Sequence, residues 1–160
     1  MNFRKKLFSL CLFVLGVALI EWLGHLLTMS SVRDWYVTLQ KPSWTPPAYV
    51  FGPVWTILYA MIAIAGWRVF IKMSASGKKT EAFWMYSLQL TCNLLWSFFF
   101  FFLKNPLFAL IDILTLLLLI IFNIKAFYRI DKVAGILLVP YLIWTFYAFL
   151  LNFAIWSLNR

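Results

Sequence analysis

Tryptophan side chains recur beside amide and hydroxyl side chains within the apolar runs of this sequence. Three sets of residues each have the spacing of one helical face: Trp55, Thr56, Tyr59 and Ile62; Gln89, Asn93, Trp96, Ser97 and Phe100; and Trp144, Ala148, Leu151 and Asn152. Indole rings offer flat apolar surface, and the amides can fix a few polar edges. Together the three faces predict an aromatic cavity for a large, flat, mostly apolar ligand.

The same residues also have a purely structural interpretation. In apolar surroundings, Asn and Gln amides hydrogen-bond neighbouring helices and tryptophans fill gaps, and for any single residue this interpretation is the stronger one. The combination of three tryptophan-bearing faces favours a ligand site. The chain has one histidine, and its two cysteines, Cys11 and Cys92, lie in separate apolar runs. No metal site, hydrolytic triad or phosphate loop is therefore expected.

The composition indicates that these faces lie inside a membrane. The chain has 160 residues, 64% hydrophobic and 12% charged, and a mean hydropathy of +0.89. This is too few charges for the polar surface of a water-soluble domain. Apolar runs of about 20 residues cross a bilayer core as helices. We predict an all-α membrane bundle forming one domain over residues 1–160, with a long loop at 28–48 and five transmembrane helices at about 7–27, 49–71, 82–103, 106–124 and 133–156.

The basic residues predict the orientation of the bundle. The net charge of +9 comes from 14 Lys and Arg against 5 Asp and Glu. Ten of the basic residues fall on the side of the N-terminus and four on the side of the loop 28–48. By the positive-inside rule, the N-terminus is cytoplasmic, and the loop and the C-terminus are outside. Basic residues at span ends anchor in lipid headgroups, and no nucleic-acid motif is present, so the expected partner is the bilayer.

The loop between the first two spans has an unusual composition, WYVTLQKPSWTPP at 35–47. Its prolines remove hydrogen-bond donors and fix φ, so the segment cannot be one continuous helix. We expect a short turn at 35–40 that points Trp35, Tyr36 and Leu39 into the bundle, and a second span that starts near Tyr49. The segment is either an interfacial loop stiffened by proline or a lid over a cavity mouth.

The sequence resembles the TspO/MBR family, the translocator proteins or peripheral benzodiazepine receptors, whose bacterial members are also called tryptophan-rich sensory proteins. The resemblance rests on W-Y-x-x-L-x-K-P-S-W-x-P-P at 35–47, F-G-P-V-W-T-I-L-Y at 51–59, Q-L-x-x-N-x-x-W-S at 89–97, F-A-L-I-D at 108–112 and P-Y-L-I-W-x-x-x-A-x-x-L-N at 140–152. These motifs occur in family order and spacing over almost the whole chain, and the short tail is similar to that of bacterial members.

The resemblance implies a cavity that opens toward the loop 28–48, in a receptor or sensor of the bacterial cell membrane. Its ligands would be tetrapyrroles such as protoporphyrin IX and heme, and benzodiazepine- or isoquinoline-type compounds, with no required cofactor. Matched by motif, the ligand-binding residues are Tyr36, Trp44, Pro46, Trp55, Asn93, Ser97, Trp144, Ala148 and Leu151. Six of these nine also lie on the helical faces described above.

Two alternative functions also follow from the resemblance. The protein would be an enzyme that degrades porphyrins in light and oxygen, with Trp55 and Trp144 as catalytic electron donors, or a transporter of porphyrins and other amphipathic ligands. Transport ranks third because the chain shows no internal repeat. The family also implies a homodimer. The tail NFAIWSLNR lacks the tyrosine of the sterol-associated pattern in animal members, which argues against cholesterol as a ligand.

Overall fold

The computed structural model describes residues 2–73 and 80–160, with the backbone alone at residues 80 and 81. Within this part of the chain every regular element is a helix: α1 (Phe3–Met29), α2 (Trp35–Thr38), α3 (Ala48–Met73), α4 (Thr80–Ser97), α5 (Pro106–Ile130), α6 (Lys132–Leu137) and α7 (Val139–Leu158). Two lysines used to predict the orientation, Lys78 and Lys79, lie outside the described residues.

Five helical segments are long and apolar enough to cross a membrane, as predicted: Phe3–Met29, Ala48–Met73, Ala82–Phe102, Pro106–Ile130 and Lys132–Leu158. The third combines α4 with a π-helical turn at Phe98–Phe102. In the fifth, α6 gives way to α7 at Leu138, just before Pro140. Proline lacks the amide hydrogen of a helix interior but is tolerated in a first turn, so a new helix begins there.

The spans form a closed ring of neighbours. The α1 helix packs against α3 and α4, α5 packs against α4 and α7, and α3 completes the ring mainly through α6. Gly66 permits a close approach inside this ring, because a Cβ there would lie 2.7 Å from the Tyr86 ring and 2.9 Å from Phe13. Contact between α3 and α7 is slight. Of the neighbouring helices in the bundle, α3 and α7 therefore restrain each other least.

Asp131 holds the joint between α5 and α6 at the end of the bundle remote from the loop. It accepts hydrogen bonds from the backbone N–H of Val133 and Ala134, at 2.9 and 3.2 Å, and so caps α6. Its carboxylate also pairs with Arg68 and Lys72 of α3, at 3.0 and 3.1 Å. Burial acts to raise the pKa of Asp131, but the hydrogen bonds from Lys72, Ala134 and Arg68 outweigh it and hold the pKa below its usual value.

The loop between α1 and α3 is anchored on the π-helical turn. As predicted, its first half turns back toward the bundle: it forms the short helix α2, and Trp35, Tyr36 and the following Leu39 pack against a cluster containing Phe100 and Phe101. The Ser31 hydroxyl donates to the Phe101 carbonyl at 2.6 Å. The second half is irregular, and α3 begins at Ala48, directly after the two prolines. The loop therefore lies against the C-terminal end of the third span.

Candidate ligand site

A small cavity lies between four helices of the bundle. It is lined by Trp55 of α3, Asn93 and Trp96 of α4, Ile113 and Leu116 of α5, and Thr145 and Ala148 of α7. Its volume is about 10 Å³, which is room for a single water molecule. Three of the predicted ligand-binding residues therefore meet at one place: Trp55, Asn93 and Ala148.

Asn93 is held at this cavity by two buried tyrosines. The Tyr59 hydroxyl donates to Asn93 Oδ1, and Asn93 Nδ2 donates to the Tyr141 hydroxyl at 2.9 Å. These bonds fix the orientation of the amide, because an unpaired polar group in an apolar interior is costly. The Trp55 ring packs on the same group, with centroids 5.4 Å from Tyr59 and 6.3 Å from Tyr141.

A second amide fixes the opposite wall of the cavity. Trp96 Nε1 donates to Asn152 Oδ1 at 2.9 Å, and Asn152 Nδ2 donates to the Pro106 carbonyl at 2.8 Å. The Trp96 ring also stacks on Phe100, with centroids 5.1 Å apart. Because the indole is fixed by a hydrogen bond and by stacking, it presents a defined flat surface to the cavity.

Thr145 adds a polar group that was not predicted from the sequence. The residue is 1% exposed, and its Oγ1 has no hydrogen-bond partner in the ranges that the structure covers. Its hydroxyl is the only one among the side chains that line the cavity, where Asn93 and Trp96 are already hydrogen-bonded. A threonine within an apolar helix gives no sequence signal for such a role, although its position directly after Trp144 could have drawn attention to it.

Trp144 and Trp44 lie outside this cavity, in a ladder of four aromatic rings. Trp144 stacks on Tyr147, with centroids 5.6 Å apart, and its other neighbour is Phe51 at 5.8 Å. Tyr147 meets the Trp44 ring at 5.6 Å, and its hydroxyl donates to the Trp44 carbonyl at 2.8 Å. The ladder thus leads from α3 and α7 to the loop. Tyr147 was not predicted, but its place three residues after Trp144 puts both on one helical side.

The remaining four predicted residues lie elsewhere. Tyr36 packs on Phe100 and Phe101, and burial raises the pKa of its phenol. Leu151 belongs to the same apolar cluster. Ser97 faces α1, where a Cβ on Gly24 would lie 3.7 Å from its hydroxyl, and Pro46 is half-buried in the loop.

The arrangement suits a flat aromatic molecule chemically, but a ligand of drug size or larger needs more room. Ligand pockets usually measure about 300–1,000 Å³, far above the volume observed here. Three tryptophans, Trp55, Trp96 and Trp144, lie in or beside the region that would have to widen. In the part of the chain that the structure covers, no group of three His, Cys, Asp or Glu side chains is placed to hold a metal ion.

Comparison with known proteins gives one consistent family. A sequence model of the TspO/MBR family matches residues 12–157. The chain is 40% identical over 159 residues to the tryptophan-rich protein TspO of Archaeoglobus fulgidus, with 99% of each chain covered. It is 40% identical over 126 residues to the tryptophan-rich sensory protein of Cereibacter sphaeroides, covering 79% of this chain and 77% of that one. Identity to the translocator protein of Homo sapiens is 32% over 149 residues, covering 92% and 88%.

Proposed function

This chain belongs to the TspO/MBR family, and on that premise we propose that it is a membrane receptor for tetrapyrroles such as protoporphyrin IX and heme. Flat benzodiazepine- or isoquinoline-type compounds would enter the same site. The observation that supports the proposal most directly is the cavity between Trp55 and Trp96, with the Asn93 amide at its wall.

The lining groups divide the recognition between them. The two indoles contact the faces or edges of an aromatic ring system, and Ala148 leaves space beside them. Asn93 uses one of its two amide hydrogens for Tyr141, which leaves the second for a polar edge of the ligand. The Thr145 hydroxyl offers another polar contact, since it forms no hydrogen bond with any residue that the structure describes.

Binding requires the bundle to open on the side of the loop. The slight contact between α3 and α7 makes this side the easiest to widen, and the ladder Phe51–Trp144–Tyr147–Trp44 spans it. Parting the ladder would add Trp44, Pro46 and Trp144 to the ligand surface. The loop 35–47 would then act as the cover of the enlarged cavity, with Tyr36 as its fixed end on the π-helical turn.

The first test is the affinity of the purified protein for protoporphyrin IX, read from the shift of the Soret band. Trp55→Phe should weaken binding about 3- to 10-fold, because the smaller ring loses part of the stacking contact. Trp84→Phe is the matched control, since Trp84 is an exposed indole near the start of α4. If Trp55→Phe and Trp144→Phe both bind as tightly as the unchanged protein, the proposed cavity is wrong.

Photo-oxidation of a bound porphyrin is a second candidate, favoured by the surroundings of Trp55. Its ring is 5.4 Å from that of Tyr59, whose hydroxyl is hydrogen-bonded to Asn93. The indole would donate an electron to the photoexcited porphyrin, and the neighbouring phenol would then reduce the oxidised indole. The macrocycle itself supplies the reactivity. Trp144 stacks on Tyr147 in a similar way. This function requires light- and oxygen-dependent loss of the Soret band, faster than with heat-denatured protein.

A further inference from the structure

We propose that Lys41 and Arg160 form a carboxylate-binding lip at the loop end of the bundle. The lip would take the carboxylate groups of an amphiphilic ligand whose apolar part enters the cavity. This inference rests on the proposed receptor function and adds that acidic members of the ligand class, such as tetrapyrroles with free side-chain carboxylates, gain affinity from the lip.

Lys41 and Arg160 both lie next to a hydrogen-bonded junction between the loop and the end of α7. The Gln40 backbone N–H donates to Asn159 Oδ1 at 2.9 Å, and Asn159 Nδ2 donates to the Gln40 carbonyl at 2.9 Å. Lys41 directly follows Gln40, and Arg160 directly follows Asn159. Each is therefore one step of about 3.8 Å between Cα atoms from a residue of this hydrogen-bonded pair.

Both charged groups are supported by aromatic rings. The Lys41 Nζ lies 4.7 Å from the centroid of Tyr36 and donates one hydrogen bond to the Leu39 carbonyl at 3.1 Å. The guanidinium of Arg160 lies 4.8 Å from the centroid of Trp156. Such contacts hold a cation in place while leaving its charge and most of its N–H groups available. A guanidinium can bind a carboxylate through two parallel hydrogen bonds.

No acidic side chain is paired with the two cations of the lip. Asp34, on the same loop, is paired at 4.0 Å with Lys104. Among the residues that the structure covers, no Asp or Glu side chain lies within 4.0 Å of the charged group of Lys41 or Arg160. An anionic group arriving at this end therefore meets two positive charges that need not give up an existing ion pair.

The position of the lip matches the polarity of an acidic tetrapyrrole. Lys41 lies on the loop between Tyr36, which is packed on the π-helical turn, and Trp44, which is hydrogen-bonded to Tyr147. A ring held beneath this loop would have its apolar body among the tryptophans. Its carboxylates would reach the water-facing end of the bundle, where they avoid the cost of burying a charge.

The test compares protoporphyrin IX with its dimethyl ester, which has the same macrocycle and no carboxylate. Binding to the full chain is measured in nanodiscs of zwitterionic lipid, for Lys41→Gln, Arg160→Gln and the double variant. We expect each single change to weaken binding of the acid about 3-fold and the double change about 10-fold, with ester binding unchanged. Salt should weaken acid binding to the unchanged protein more than to the double variant.

Lys104→Gln is the matched control, because it removes a cation at the same end that is already paired. The lip is overturned if the double variant binds the acid as well as the unchanged protein, or loses acid and ester binding equally. The receptor proposal survives both results. If neither porphyrin binds the unchanged protein, the receptor proposal and the lip fall together.

Discussion

Asn93 is the residue on which the polar geometry of the cavity depends. Its amide joins Tyr59 and Tyr141, which are 7% and 0% exposed and so are shielded from bulk water. Asn93→Leu, a change to an apolar side chain, leaves both hydroxyls without this partner. We expect the free energy of unfolding to fall by about 2–4 kcal/mol in denaturation experiments in detergent.

A triple variant distinguishes the effect of unpaired hydroxyl groups from the effect of lost packing. Replacing Asn93 by Leu and both tyrosines by Phe removes every member of the group, so no hydroxyl remains unsatisfied, and much of the lost stability should return. An equal loss in the single and triple variants would show that packing, not the orphaned hydroxyls, is responsible.

Helical spacing and motifs selected residues that lie together in the structure, but they carry no information on positions that a tertiary contact decides. Trp55, Asn93 and Ala148 were selected from spacing and motif, and they do meet at the cavity. Tyr147 matters because the loop folds back onto α7, a contact between residues 103 positions apart. No local sequence pattern predicts such a contact. The separation of Ser97 and Leu151 from the cavity likewise depends on how each helix is rotated in the bundle.

At the scale of elements, the joint between α3, α5 and α6 is a pH-sensitive point. The pKa of Asp131 is held below its usual value in the folded protein, so the contribution of this carboxylate is fully present above its unfolded pKa of about 3.9. The contribution is lost as the pH falls through the folded value. Stability measured by thermal unfolding should therefore decline below about pH 4, and Asp131→Asn should flatten that decline.

Asp131→Asn and Asp131→Ala together distinguish charge from capping. Asparagine retains an oxygen for the N–H groups of Val133 and Ala134, whereas alanine loses the cap, which costs roughly 1 kcal/mol more. Two variants of equal stability would contradict the capping role.

The spans themselves were predictable, but their ends and irregularities were only partly so. The fourth span was predicted to stop at residue 124, yet α5 continues to Ile130, because basic residues such as Lys125 and Arg129 are compatible with a helix that extends past the hydrocarbon core. The π-helical turn falls in five consecutive phenylalanines, where every position is apolar and periodicity carries no information.

At the scale of the whole molecule, the charge distribution leads to a testable orientation. In a chain whose native cysteines are replaced by alanine, Ser43→Cys and Lys132→Cys place thiols at opposite ends, and both positions are exposed. Because basic residues favour the cytoplasmic side, a membrane-impermeant maleimide should label position 43 and not position 132 in intact cells. Permeabilised cells should show both. Labelling of position 132 alone in intact cells would invert the proposed orientation.

The hydrogen bond between Tyr147 and the Trp44 carbonyl has a consequence for any affinity measured on this protein. If the closed form holds room for one water molecule, only the open fraction of the population can receive a macrocycle. The apparent dissociation constant is then the intrinsic one divided by that fraction. Two relatives with identical rings around the ligand would differ in apparent affinity when their loops close with different strength, and a weakened closure would tighten binding without a new ligand contact.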